Sequence, residues 1–424
     1  MATANWPAKK DRSQIGKSTD RLDGSIKVTG RAKYSFDKNL PGMLWAKPQV
    51  SPHAYAKVVS IDTAAAEATA GVKGVWKDAE LINGEVRYVG QIVAAVAAET
   101  EEIATEAAKK IAVKYEPLEL QVIDNDPKFS TGKASTREDG DVDKAMAEAD
   151  VTSEGDYGVP VITHCCLEPH GQVTEVRDGE LHAWPSTQNV SRWADRLDDS
   201  VGIPRAKMHV DCQHMGGGYG SKFSFDKWGV IGSLLSKQTG QPVKLLLDRE
   251  LELSIAGNRP SAYAHIKVGA KKDGSITAIE GTVWGTGGGG GYRLRAFPYV
   301  FTAPNTRTTM KGIKTNRGGQ RAWRAPSHPQ SCLLTLSALE DTAAALKMDA
   351  LEFIKKNLNL TERPDVYVEE IDIAAKMIGY KEKAHLRGDK TPGPVKRGLG
   401  IALHTWGGLG HASECQVTIN PDGS

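Results

Sequence analysis

His214-Met215-Gly216-Gly217-Gly218-Tyr219-Gly220-Ser221-Lys222-Phe223 places four glycines in the five positions from 216 to 220. A strand-like run, Lys207 to Cys212 with Met208, Val210 and Cys212 alternating, leads in, and a helix-like run, Lys227 to Lys237, leads out. Glycines between such runs remove side chains where a backbone bends sharply or approaches a ligand. The amides exposed in that turn suit an anion or the polar edge of a cofactor, and a tight turn with no ligand is the plain alternative. A phosphate-binding P-loop needs Gly-Lys-Ser/Thr, which Ser221-Lys222-Phe223 does not supply. The dinucleotide fingerprint fails where Ser221 takes the place of its third glycine.

The chain has 424 residues, enough for two or more domains. Its 54 basic and 52 acidic side chains nearly cancel, which leaves no electrostatic case for nucleic acid or an anionic membrane as main partner. The five cysteines (165, 166, 212, 332 and 415) contain no Cys-x-x-Cys pair. They predict no zinc ribbon, no iron–sulfur cluster held by this chain and no disulfide framework, with Cys165-Cys166 structural. The N-terminus has no apolar core and the chain has no long apolar run, so a cytoplasmic protein without a membrane span is expected.

Outward from the loop, the pattern reads as α+β. Residues 1–17 form a polar arm and 18–125 a small domain of mixed strands with a helix capped by Thr100. Within it, Arg21 to Tyr34 reads as a turn, a short strand, a turn and another strand. Residues 126–142 read as a linker and 143–424 as a second, strand-rich domain. Val173–Val176 and Leu181–Pro185 pair across an Asp178-Gly179 turn, and Ala262–Val268 pairs with Ile276–Trp284 across Asp273-Gly274. A second cluster, Gly287 to Gly291, reads as a flexible loop. Arg321 to Gln330 is a proline-bearing loop presenting Trp323 and Arg324, followed by a long helix with Leu336, Leu339, Ala343 and Leu346 on one face. At the end, Glu414 to Ile419 alternates as a strand into the turn Asn420-Pro421-Asp422-Gly423. No strand returns, so an edge completed by another polypeptide, or a chain cut there, is expected.

Arg21-x-Asp23-Gly24-x-x-Lys27-Val28-Thr29-Gly30, Ser51-Pro52-His53-Ala54, Leu167-Glu168-Pro169-His170, Ser186-Thr187-Gln188-Asn189, the glycine loop and Arg324-Ala325-Pro326 occur in one order. In that combination the chain resembles the N-terminal half of the large, molybdenum-binding subunit of the xanthine dehydrogenase/aldehyde oxidase family of molybdenum hydroxylases. The resemblance implies a small hammerhead-type α/β domain followed by the first part of a larger mixed α/β molybdopterin-binding domain.

It also implies roles. Gln188 matches a glutamine that hydrogen-bonds an oxygen ligand of molybdenum; an ordinary polar residue at a helix start is the alternative. Gly217, Gly218, Tyr219 and Gly220 match the loop whose backbone touches the pyranopterin, where a Cβ would collide with the cofactor. Arg324 matches an arginine near the metal that polarises or orients substrate, against a surface salt bridge as alternative. Glu168, His170, Phe223, Trp323 and Pro326 would shape the substrate pocket, and no residue of this chain ligates the metal directly. Phe223 stands where purine-oxidising relatives carry a glutamate, and Pro326 where they carry a phenylalanine. Both departures point from xanthine towards an aldehyde or another N-heterocycle.

The activity so implied is hydroxylation with water as oxygen source, on a molybdenum–molybdopterin cofactor in the cytosine dinucleotide form. The general-base glutamate would come from a chain carrying the C-terminal half. Electrons would leave through [2Fe-2S] and FAD centres on other subunits. A non-catalytic scaffold or assembly subunit that kept the fold is the rival.

Overall fold

Asp178 and Gly179 take φ of +53° and +75°, the backbone a two-residue hairpin demands, and the strands Gly171–Arg177 and Glu180–Pro185 pair across them. That hairpin belongs to a seven-stranded sheet. Its order is Met208–Val210, Glu180–Pro185, Gly171–Arg177, Val243–Leu246, Leu44–Val50, Ile92–Ala98 and Val72–Lys77. The structure, a computed structural model, describes residues 7–195, 197–223, 225–292, 294, 296–385, 392–406 and 417–423.

The chain divides into two compact units, each built from two segments: Met1–Leu118 with His164–Ala256, and Glu119–Thr163 with Gly257–Ser424. The sequential partition at 18–125 and 143–424 is not how the strands pair. Leu44 lies parallel to Val243 and Trp45 to Lys244, so strands from both expected domains share one sheet. Strand pairing across about two hundred residues leaves no local mark in composition.

In the first unit, helix Lys227–Thr239 buries Trp228, Ile231 and Leu235 with Leu44, Ile92, Val243 and Leu245. Strand Ile92–Ala98 is buried along its whole length. Its residues Val93, Ala94 and Val96 join Ala107 of helix Glu101–Lys109 and Val58 of a three-stranded sheet in a second core. Thr100 caps that helix as expected, its hydroxyl accepting from the Ile103 amide at 3.2 Å. Lys244 is buried in the sheet. Its ammonium donates to the carbonyls of Phe36 and Lys38, which anchors the turn at Ser35–Asp37. Where Arg21 to Tyr34 is expected to hold two short strands, Gly24–Val28 is instead a helix and no strand forms. Its apolar residues are not buried, so their spacing carried no core signal.

In the second unit, a five-stranded sheet runs Thr131–Asp139, Asn305–Gly312, Ile276–Trp284, Ala262–Ala270, Val151–Val159. Helix His328–Ala345 packs Leu334 and Leu339 into a core with Ile266, Val268 and Phe301. The expected linker 126–142 is thus largely an edge strand, Thr131–Asp139, followed by the start of a helix. All nine of its residues are exposed, so no apolar alternation marks it; Lys133, Arg137 and Glu138 suit an edge. Helix Pro364–Ile378 has only Tyr367 and Ile371 buried and was not anticipated. Of the C-terminal strand, Glu414 to Gln416 lie outside the described residues and Val417–Asn420 form no strand. The turn after them closes with the Gly423 amide on the Asn420 carbonyl at 2.9 Å. Among the described residues no helix is long and apolar enough to cross a membrane.

Candidate functional site

The glycine loop leaves the edge strand Met208–Val210 and ends at Asp226, which precedes helix Lys227–Thr239. Gly217 and Gly220 have φ of +105° and +115°, and Tyr219, a non-glycine, is held at +54°. A left-handed tyrosine costs roughly 1–2 kcal/mol and persists only where neighbours over-determine the backbone. Here the neighbours are two side chains. Glu168 Oε2 accepts from the Gly216 amide at 2.7 Å and from Ser186 Oγ at 2.8 Å, while its Oε1 accepts from the Phe36 amide at 3.1 Å. Gln188 Oε1 accepts from the amides of Gly220 at 2.8 Å and Lys222 at 3.3 Å.

These contacts also crowd two of the glycines from within the protein. A Cβ at Gly216 would lie 2.5 Å from the Glu168 Cβ, and one at Gly218 would lie 2.4 Å from Gln188 Oε1. The protein's own side chains stand in the way of a Cβ at both positions.

Behind the loop, Lys222 is fully buried and donates to the Glu168 carbonyl and Ser186 Oγ, both at 2.7 Å. Burial pushes its ammonium below the usual lysine range, against the pull of nearby acidic groups. His170 is also buried. Its Nδ1 lies 2.9 Å from Glu252 Oε2 and its Nε2 3.3 Å from the Ser221 carbonyl. Burial raises the Glu252 carboxyl, but the hydrogen bond and charge of His170 outweigh it and leave the group below its ordinary value. Both ring nitrogens of His170 are thus engaged within the protein, so it braces the loop from behind, and Glu168 does the same from one side.

The groups left facing outward are the loop's own. Among the described residues, the amides of Gly217, Gly218 and Tyr219 have no hydrogen-bond partner, nor does the NH2 of Gln188. Gly218 is buried, and the nearby His214 Nδ1 is buried without a partner. Accessible donors left without a protein partner on a glycine loop fit a polar ligand. Tyr219 and Phe223 are each nearly half exposed on the same loop. A cleft of about 580 Å³ opens beside it, lined by Tyr34, Phe36, Leu167, Glu168, Gly217 and Tyr219. Of the adjacent cysteines, Cys166 is buried and Cys165 is exposed at φ +49°, so only Cys166 fits the structural role expected of the pair.

The second unit holds Arg324. Its guanidinium is exposed and, among the described residues, unpaired, so the surface salt bridge is not formed. Ala325 and Ser327, on either side of Pro326, have φ of +57° and +70°. Arg259, which sequence reasoning missed, holds this bend. It is buried and donates to the Arg324 carbonyl at 2.8 Å, the Ala325 carbonyl at 3.4 Å and Gln330 Oε1 at 3.1 Å. It also stacks over Trp323 at 4.9 Å. The available signal was Gly257-Asn258-Arg259-Pro260, a turn-forming run with an arginine inside it. A cavity of about 900 Å³ is lined by Arg259, Trp323, Pro326, His328, Gln330 and Trp406. The second glycine cluster is not uniformly loose. A Cβ would sit 2.8 Å from Gln320 at Gly287 and 2.6 Å from the Gly318 carbonyl at Gly288, whereas Gly289 and Gly290 face open space.

Comparison with known proteins gives these features a context. The family described as "Molybdopterin cofactor-binding domain" matches residues 125–358, and "Aldehyde oxidase and xanthine dehydrogenase, a/b hammerhead domain" matches residues 75–119. The nicotinate dehydrogenase large molybdopterin subunit of Eubacterium barkeri is 30% identical over 380 residues, 81% of this chain and 89% of its own length. The aldehyde oxidoreductase molybdenum-binding subunit PaoC of Escherichia coli O157:H7 is 24% identical, covering 97% of this chain and 60% of its own. Mouse xanthine dehydrogenase/oxidase is 28% identical, but this chain spans only 28% of its length. Among solved structures, quinoline 2-oxidoreductase from Pseudomonas putida 86 superposes with a TM-score of 0.75 at 23% identity, over 87% of this chain and 55% of its own. CO dehydrogenase from Oligotropha carboxidovorans gives 0.74 at 23% identity, over 87% and 54%. At such identity the structural likeness speaks for the fold alone.

Proposed function

This chain belongs to the family of molybdenum-binding subunits of xanthine dehydrogenase and aldehyde oxidase, and from that premise we propose that it forms one part of a molybdenum hydroxylase. The observation that carries the reading is the set of unpartnered donors at Gly217, Gly218, Tyr219 and the Gln188 NH2, on a loop that Glu168 and Gln188 hold from within. A molybdopterin cofactor, in the cytosine dinucleotide form, is the group those donors would hold. When bound it supplies two-electron oxidation of an electron-poor carbon, with water as the oxygen source.

The residues of this chain position and polarise. Gln188 is rigid because the Gly220 and Lys222 amides hold its oxygen, so its NH2 is aimed without further ordering cost. The amides of the loop offer fixed dipoles to a polar ligand, and Tyr219 and Phe223 cover it from water. Arg324, fixed through its backbone by Arg259, offers an uncommitted guanidinium to a developing negative charge on substrate. Glu168 and His170 act through the loop. Phe223, in place of a carboxylate, favours an aldehyde or an N-heterocycle over a purine. Nicotinate and aldehydes in the names of the curated relatives lie in that range.

The general base is proposed to come from a second chain carrying the remainder of the molybdenum subunit, with electrons passing to iron–sulfur and FAD subunits. Supporting this, the chain spans 60% of the Escherichia coli subunit yet 89% of the Eubacterium barkeri one, itself called a large molybdopterin subunit. The test is gentle purification from the native source, identification of every co-purifying polypeptide by mass spectrometry, and molybdenum quantification. One molybdenum per chain pair is expected, and it should fall in Gln188→Ala. A folded, solitary, metal-free chain would replace this reading with the scaffold.

A further inference from the structure

The strand Glu180–Pro185 buries Leu181, Ala183 and Pro185 and leaves Glu180, His182 and Trp184 on its opposite face. The edge strand Met208–Val210 runs parallel to it, with His182 in register with His209. The two imidazoles lie 4.7 Å apart with planes at 19°. Glu180 Oε2 is 3.0 Å from His209 Nε2 and 3.9 Å from His182 Nε2. One coordinating atom from each of the three lies within 4.8 Å of the other two. Among the described residues, none of the three hydrogen-bonds to the glycine loop.

We propose that Glu180, His182 and His209 form a surface site for a divalent transition-metal ion, with Zn²⁺ the ion best matched to the set. Two imidazole nitrogens and one carboxylate oxygen are borderline ligands. They suit zinc and its neighbours, whereas Mg²⁺ and Ca²⁺ demand oxygen throughout. Zinc–ligand bonds of about 2.0–2.2 Å place ligand atoms roughly 3.3 Å apart in a tetrahedron. The present spacings bracket that value, so small side-chain rotations close the site with no backbone movement. The side chains are between a quarter and half exposed, so an ion reaches them from solvent and keeps water in the fourth position.

Arg177, in register with Glu180, is a competing cation, and Glu175 holds its guanidinium at 3.4 Å. Trp184 stacks beside His182 with ring centres 6.5 Å apart, which limits the rotation of that imidazole. The bound ion cross-links the three-residue edge strand to the hairpin. It thereby steadies the segment from which the glycine loop departs.

The test uses the full chain with any natural partner, dialysed against a chelator and titrated with Zn²⁺ by calorimetry. One tight equivalent is expected. His182→Ala and His209→Ala should each weaken it by about tenfold or more, the scale on which even outer-shell losses act. His209→Gln, which keeps side-chain bulk, and circular dichroism guard against a folding defect. His265→Ala should leave the equivalent intact, although Asp156 and Glu154 flank that histidine at 2.9 and 2.8 Å. Zn²⁺ should raise the unfolding midpoint of the parent protein but not that of His209→Ala. Absence of a tight equivalent, or one indifferent to both the His182 and the His209 changes, would overturn the site.

Discussion

Gln188 Oε1 occupies the space a side chain at Gly218 would need: an ideal Cβ there would lie only 2.4 Å away. The same oxygen receives the amide of Gly220 at 2.8 Å, so one carboxamide both shapes the glycine loop and enforces its composition. Gly218→Ala must therefore eject Gln188. A loss on the order of 1–3 kcal/mol is expected from such overpacking, read from denaturant unfolding. Gln188→Ala removes the obstacle, so the double variant should lose less than the sum of the singles. Additive losses would mean that the two residues do not share the space.

Glu168 takes three donors while nearly buried, from Gly216, Ser186 and Phe36. Glu168→Gln replaces an acceptor by a donor at part of that network and removes a charge close to buried Lys222. Destabilisation of roughly 2–3 kcal/mol is expected, with a lower molybdenum content in whatever protein still folds. Unchanged stability would remove Glu168 from its bracing role.

Arg259→Lys keeps the charge but loses the planar fork that reaches Arg324, Ala325 and Gln330 together. A cost of about 1.5–3 kcal/mol is expected. The Trp323 environment, followed by fluorescence, should change with it, because the guanidinium stacks on that ring. If lysine serves as well as arginine, the bend at Ala325 is held by other contacts.

Ala325→Gly should act in the opposite direction. Alanine at φ +57° carries left-handed strain that glycine does not. A gain of up to about 1 kcal/mol is expected, offset in part by the greater freedom of the unfolded chain. A clear loss would show that the methyl group packs usefully.

The Glu252 carboxyl sits below its ordinary value of 4.5 in the folded protein, so below that value the unfolded chain binds more protons. The stability it contributes is complete above about pH 4.5 and is lost as pH falls through the folded value. An acid titration of unfolding should therefore be shallower in Glu252→Gln than in the parent. Equal slopes would place the acid-labile group elsewhere.

Local structure was the legible part. Asp178-Gly179 specified its hairpin, Thr100 its helix start, and the run from Lys227 to Lys237 its helix, because each depends on neighbours a few residues away. What escaped reading lacked an apolar pattern. Strand Thr131–Asp139 is exposed on every residue, and helix Gly24–Val28 buries nothing. Among the candidate residues, the glycine loop, Gln188 and Arg324 stood out by type and order, whereas Arg259 is one arginine among many until its carbonyl partners are seen.

By itself, then, the sequence determined where the backbone turns, which faces seek burial, and to which family the ordered motifs belong. The tertiary structure alone decided that Gln188 and Glu168 stand where side chains at Gly218 and Gly216 would have to go. It also decided that Arg259 holds the Arg324 bend and that Leu44 pairs with Val243. The reason is separation along the chain. The Gln188–Gly220 bond spans 32 residues and the Arg259–Arg324 bond 65, and contacts at that range arise only when the folded backbone brings the partners together.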